Sequence, residues 1–252
     1  MEVPALSRSG RPAGNTATTW LKIIALVFMF ADHAGKMLLP DIPEMRMIGR
    51  IAFPIYVWCM IVGFHYTRSV PKYLLRSLAV GLVSQPLYNL ALRHTWLEPN
   101  VFLTLFLGLC ALWGIREKKY LSQIWAPAAA IVLAVVLKAD YGWKGVLLFI
   151  LLYAVRDSRP GSAAVMVAYF LFWGSFYSVT NRFFGFSFSI STLPAYLSQP
   201  LNAFLRMETY ALLSLPFILI RFKRDLKIPR WIGYALYPAH LALLYALEQI
   251  IR

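Results

Sequence analysis

The sequence predicts an all-α integral membrane protein with about nine transmembrane helices, eight or ten being the neighbouring counts, and an amino terminus in the cytoplasm. Three observations lead there. Of the 252 residues, 60% are hydrophobic and only 14% charged, well below the quarter or so that is charged in a soluble domain. Mean hydropathy is +0.61, and the apolar residues fall into runs that approach the ~20-residue length needed to cross a bilayer. Lys and Arg gather in short clusters between those runs, as membrane orientation requires.

Residues 1–18 are polar and read as a cytoplasmic tail, without the apolar centre of a signal peptide. The first run, 19–39, is too long for such a peptide and carries no small-residue cleavage site, so it stays as a transmembrane helix. Further runs follow at 48–66, 74–92, 100–115, 124–137, 143–155, 163–177, 206–220 and 231–247, separated by Gly, Pro, Asn and charge. Residues 19–252 therefore form a single transmembrane domain. The connection 178–205 is long, aromatic and outward, and 183–204 reads as a candidate re-entrant or interfacial helix. Placing the amino terminus and every second connection on one side puts most of the 25 Lys and Arg there. Positive-inside logic makes that side the cytoplasm, and the expected location is the bacterial cytoplasmic (inner) membrane.

Several function classes drop out. A net charge of +14 suggests nucleic acid, but the charge is cut into clusters and forms no continuous basic face, so no nucleic-acid partner is expected. Cys59 and Cys110 lie inside apolar runs and read as small core residues. The four His show no ligand spacing, so no metal is expected. The halves lack the paired broken segments of an inverted-repeat transporter, which weakens that class without removing it.

Asp32 and His33 are the first chemical signal, because an ionisable group at membrane depth costs roughly 2.5 kcal/mol or more unless it faces a cavity or partner. With the topology above, Arg50, Asn100, Thr104, Lys138, Asp140, Tyr141 and Lys144 share their leaflet, and a polar outer chamber accounts for all of them. Plainer readings stand beside this one. Arg50 snorkels, Asn100 is an N-cap, and Lys138, Asp140 and Lys144 are a solvated loop. Successive helical residues lie ~100° apart, so Asp32 does not face His33. Asp32 reaches Lys36 at i+4 or Arg50 across an interface, whereas His33 needs an acceptor from another helix, for which Asp140 is the candidate. In the last run, Pro238 frees a carbonyl, and His240 faces either the chamber or that carbonyl. At the cytoplasmic end, His65, Arg68, Lys72 and Lys22 suit either phosphates or anionic lipid.

The stretch Leu21-Lys22-Ile23-Ile24-Ala25-Leu26 with Met29, Asp32 and His33 resembles the opening motif of the TraX family, bacterial membrane proteins linked to N-terminal acetylation of conjugative pilins. The resemblance continues through Gly49-Arg50-Ile51-Ala52-Phe53-Pro54 with Gly63 and Tyr66-Thr67-Arg68. It goes on with Asn100-Val101, Thr104-Leu105 and Gly108, then Tyr141-Gly142 and Gly145-Val146-Leu147, and closes at Tyr237-Pro238-Ala239-His240-Leu241. It implies a membrane acetyltransferase, distantly similar to the wider membrane acyltransferase group, that takes acetyl from cytoplasmic acetyl-CoA. On that resemblance His33 is the catalytic base with Asp32 as its companion, and Arg50, Asn100, Tyr141 and His240 line the site. Asp140 joins the catalytic set, Thr104 and Tyr237 the substrate-binding set, and Lys22, Arg68 and Lys72 hold the CoA phosphates. The acceptor is an amine or hydroxyl on the outer side, by resemblance a pilin N-terminus or another small membrane or exported protein. Two other classes fit the same residues: a proton-coupled transporter or exporter, and a non-catalytic assembly factor in contact with membrane lipid.

Overall fold

The structure, a computed structural model, describes residues 11–180, 182–183, 185–187 and 193–251. It is built from helices: α1 (Thr18–Met37), α2 (Pro43–Gly49), α3 (Ala52–Tyr66), α4 (Val70–Leu92), α5 (Val101–Glu117), α6 (Ser122–Val136), α7 (Gly142–Ala154), α8 (Arg159–Gly174), α9 (Ala195–Phe204), α10 (Leu215–Leu219) and α11 (Arg230–Ile251). A 3-10 helix, Met207–Ser214, leads into α10. Strands β1 (Arg182–Phe183) and β2 (Phe186–Ser187) make a two-residue antiparallel ladder within the connection 178–205.

Punctuation in the sequence sets the boundaries. Pro stands in the first turn of α2, α4, α8 and α10, where its missing N–H costs nothing. The side chains of Asn100 and Ser158 cap α5 and α8. Arg93 and Lys118 close α4 and α5 in the left-handed conformation. The Asp225 carboxylate accepts from the Thr19 and Trp20 N–H groups at 3.1–3.2 Å, supplying the acceptor that the first turn of α1 lacks on its own.

α3 is the axis of the bundle. Eleven of its fifteen residues are buried, with Trp58, Ile55, Ile61 and Phe64 fully enclosed. α6 is its opposite: small residues Ala126, Ala130 and Ala134 face α5 and α7, and Ile124, Val132 and Val136 point outward. Among the described residues, two segments are long and apolar enough to cross a membrane, Pro43–Tyr66, 78% buried, and Lys119–Val136, 17% buried. Gly142–Ala154 and Met207–Leu219 are apolar but shorter.

The structure revises two boundaries. The run 48–66 is two helices that meet at Arg50, the C-cap of α2. Of the polar tail 1–18, residues 1–10, Arg8 included, lie outside the described residues, but residues 11–17 form a strap packed into the bundle. Asn15 is fully buried. Its amide donates to the Phe217 carbonyl at 3.0 Å, and its Oδ1 accepts from the Ala17 and Phe222 N–H groups at 3.0 and 3.4 Å. The Trp58 indole donates to the Asn15 carbonyl at 2.8 Å. In the connection 178–205, α9 occupies part of the candidate helix region 183–204, with none of its residues fully buried; residues 184 and 188–192 lie outside the described residues.

Asn15→Ala strips three buried backbone groups of their partner. It is expected to lower stability by about 1–3 kcal/mol, read as an earlier unfolding midpoint of the purified protein in detergent. An unchanged midpoint would show that the strap is anchored elsewhere.

Candidate functional site

A cavity of about 480 Å³ opens where the C-terminal halves of α1 and α4 meet the α2–α3 join, the start of α7, the end of α8 and the 3-10 helix. Its wall includes Asp32, His33, Arg50, Asp140, Tyr141 and Tyr237, so six residues expected at the site come together from four separate segments.

Its electrostatic centre is Arg50. Its Nη2 donates to Asp32 Oδ1 at 2.6 Å and its Nη1 to Glu208 Oε1 at 3.1 Å, while Nε donates to the Arg46 carbonyl at 3.3 Å. Arg46 Nε also donates to Asp32 Oδ1, at 2.9 Å. Arg50 is thus the paired member of a buried network, and snorkelling does not describe it. The pairing demands close approach of α1 to α2: any Cβ added at Gly49 would collide with the Asp32 side chain.

Asp32 meets Arg50 across the helix interface as its spacing allows. Lys36 turns elsewhere, its Nζ 2.7 Å from His94 Nε2. His33 Nδ1 lies 2.9 Å from His240 Nε2, with the two rings nearly parallel. The partner expected in Asp140 is instead His240: α11 packs along α1, whereas Asp140 sits in the turn before α7 on another part of the wall. Tyr141 stacks face to face on Phe53, centroids 3.7 Å apart, with Trp173 edge-on to both. Gly145 makes that stack possible, since a Cβ there would strike Tyr141 and Thr104.

Other expected residues lie behind the wall or far from it. Asn100 caps α5, accepting from the Phe102 N–H at 3.0 Å and donating to the Gly81 carbonyl and Gln85 Oε1 at 2.8 Å; its hydrogen-bonding capacity is spent on the fold. Thr104 is buried, its hydroxyl 3.4 Å from the Tyr141 N–H, which makes it a support for Tyr141. Lys22, Arg68 and Lys72 are exposed and line no part of the cavity. At 1.5 Å per residue, Lys22 is about 16 Å along α1 from His33, and Lys72 about 24 Å along α4 from Tyr88 on the cavity wall.

Lys144, expected in the chamber, also lines the cavity, as do Glu208, Arg46 and His94, which were not anticipated there. For Glu208 a signal existed: it is a lone carboxylate at the start of an apolar run, with the same cost that singles out Asp32. Arg46 precedes Arg50 by one helical turn, which places both on one face of α2.

Removing Arg50 leaves Asp32 with Arg46 alone and Glu208 without a counter-charge. Arg50→Ala is expected to cost about 3–5 kcal/mol, and a double-mutant cycle with Glu208→Ala should show coupling of about 0.5–3 kcal/mol. Additive melting shifts would show that the 3.1 Å pair contributes nothing.

The chain matches the TraX protein family over residues 17–248. It is 33% identical over 97 residues, 38% of its length, to an uncharacterized protein of Rickettsia prowazekii (strain Madrid E). It is 31% identical over 106 residues, 36% of its length, to a probable fimbrial assembly protein, FimC of serogroup H1, from Dichelobacter nodosus. These matches span 37% and 43% of the two relatives' own lengths. No solved structure matches the chain. The family match takes in the whole cavity wall, from Met29 to Tyr237, and the chain belongs to the TraX family.

Proposed function

We propose that the protein is a polytopic membrane acetyltransferase of the bacterial inner membrane. In this reading it transfers acetyl from cytoplasmic acetyl-CoA to an amine or hydroxyl acceptor on the outer side, a pilin N-terminus being the acceptor that the family resemblance suggests. The observation that carries this reading is a cavity whose wall holds both a doubly paired arginine, Arg50, and His33, which is backed by His240.

A hydrogen bond between two imidazoles needs one protonated and one bare nitrogen. When His33 Nδ1 donates to His240 Nε2, the remaining nitrogen of neutral His33, Nε2, is a base. It takes a proton from the acceptor, whose nitrogen or oxygen then attacks the thioester carbon. The carbonyl oxygen becomes an oxyanion, and the tetrahedral intermediate collapses with loss of the CoA thiolate, which takes up a proton. Arg50 has five N–H donors, three of them engaged by Asp32, Glu208 and the Arg46 carbonyl. The other two, with the neighbouring Tyr141 hydroxyl, supply donors for the oxyanion. Attack by His33 itself, giving an acetyl-histidine, is the covalent variant of the same arrangement.

The membrane placement draws support from the outward Leu75, Leu82 and Val83 of α4 and Val132 and Val136 of α6, which suit lipid better than water. The fimbrial assembly relative's name favours a second reading, a non-catalytic assembly factor, and an acetyl-transfer assay separates the two. His33→Ala is expected to fold and to transfer acetyl roughly 10²-fold or more slowly than wild type; transfer at the wild-type rate removes His33 from the chemistry. For topology, a cysteine at Lys144 should react with an impermeant thiol reagent outside intact cells, and one at Lys223 should be shielded. The reverse labelling pattern overturns the orientation and the outer acceptor together.

A further inference from the structure

The end of the bundle opposite the cavity holds a second group of charges that the chemistry above leaves unused. Arg116 at the end of α5, Arg156 just beyond α7, Arg159 at the start of α8, Arg221 beyond α10 and Arg11 on the strap converge there. Arg116 Nη1 donates to the Phe64 carbonyl at 3.4 Å, with its guanidinium 4.6 Å above the Phe64 ring. Arg156 Nη1 donates to the Tyr153 carbonyl at 2.5 Å, its guanidinium 3.9 Å above the Tyr153 ring. Arg159 Nε donates to the Ala13 carbonyl at 2.9 Å, and Arg221 Nε and Nη2 to the Gly14 and Pro12 carbonyls at 3.1 Å. His65, at the end of α3, is the electrostatic neighbour of Arg156, Arg11 and Arg116.

Backbone carbonyls occupy one or two donors of each of the four arginines so held, and a guanidinium has five. Among the described residues, no ion pair joins any of the five arginines to a carboxylate. Among the described residues Arg156 Nε has no acceptor. The nearby acids are committed or solvated: Asp225 caps α1, Glu117 lies 3.9 Å from Lys119, and Asp157 is exposed.

We propose that this arginine cluster binds a phosphate ester. Guanidinium forks match phosphate oxygens bidentately, and the carbonyl and ring contacts hold these forks in place before any ligand arrives. Two sources carry the same chemistry: the nucleotide phosphates of acetyl-CoA, which rests on the acetyltransferase reading, and the headgroup of an anionic lipid. Lys22, Arg68 and Lys72 add solvated charge at the same end. The arginines differ in being oriented.

The test uses the full chain in phosphatidylcholine nanodiscs, titrated with 3′,5′-ADP, which carries nucleotide phosphates and no thioester. Wild type should bind it, and Arg116→Gln/Arg156→Gln about tenfold more weakly, with a similar rise in KM for acetyl-CoA and unchanged turnover of acetyl-pantetheine, which lacks the nucleotide. If instead wild type ignores 3′,5′-ADP but retains phosphatidylglycerol that the variant loses, the site stands with lipid as its source. Equal behaviour of wild type and variant toward both probes overturns the proposal. Should the double variant fail to fold, Arg156→Lys asks the same question, since Lys keeps the charge and loses the fork. Binding is read directly, so absence of acetyl transfer from wild type sinks the enzyme reading without deciding this one.

Discussion

The rest of the structure depends on the ion pair between Asp32 and Arg50. A guanidinium that is largely removed from water must be paired on every side where water is missing, and here Asp32 and Glu208 flank it. Satisfying that demand fixes three things at once. α1 must approach α2 closely enough that only Gly49 fits between them. The join of α2 and α3 must set Arg50, the C-cap of α2, on the cavity wall. The 3-10 helix Met207–Ser214 must come within reach from more than 150 residues away, carrying Glu208. With these set, His33 lies beside the pair with its ring free to meet α11.

Much of this was legible in the sequence, and the limits have physical causes. The charge-poor runs give the helices, because apolar length and Pro or Gly punctuation are local properties. The cavity was legible as a shared depth: Asp32, Arg50, Asp140 and Tyr141 each had to avoid lipid, and one chamber serves them all. What a linear reading lacks is the azimuth of each helix. Asn100 had two readings of equal standing until the positions of Gly81 and Gln85 made it a cap. Asp140 was the partner expected for His33, and only the packing of α11 along α1 brings His240 to it instead. Glu208 was within reach of the argument that found Asp32, yet its position at the edge of an apolar run let it pass as a boundary residue. The strap was hidden for another reason: its hydrogen bonds are made by backbone and by a short Asn, which leave no periodic trace.

The two ends of the bundle handle cations differently. At the cavity, arginines are matched to carboxylates, leaving only a few donors for a reacting group. At the opposite end they are matched to carbonyl oxygens, which satisfy hydrogen bonds but cancel no charge. The first arrangement suits charge that develops during a reaction; the second suits charge that arrives already formed on a ligand.

The strap also bears on the order in which the molecule can be assembled. Asn15 closes onto Phe217 and Phe222, and the first turn of α1 is capped by Asp225. α1 therefore waits for segments about 200 residues further along before it is fully seated. Arg46 and Arg50 follow Asp32 within 18 positions, so the acid is neutralised by its own hairpin soon after synthesis. Glu208 and His240 arrive only near the end. A nascent chain halted before residue 208 holds Asp32 paired within its own hairpin while His33 still lacks His240, a half-built pocket that is completed only when α11 arrives.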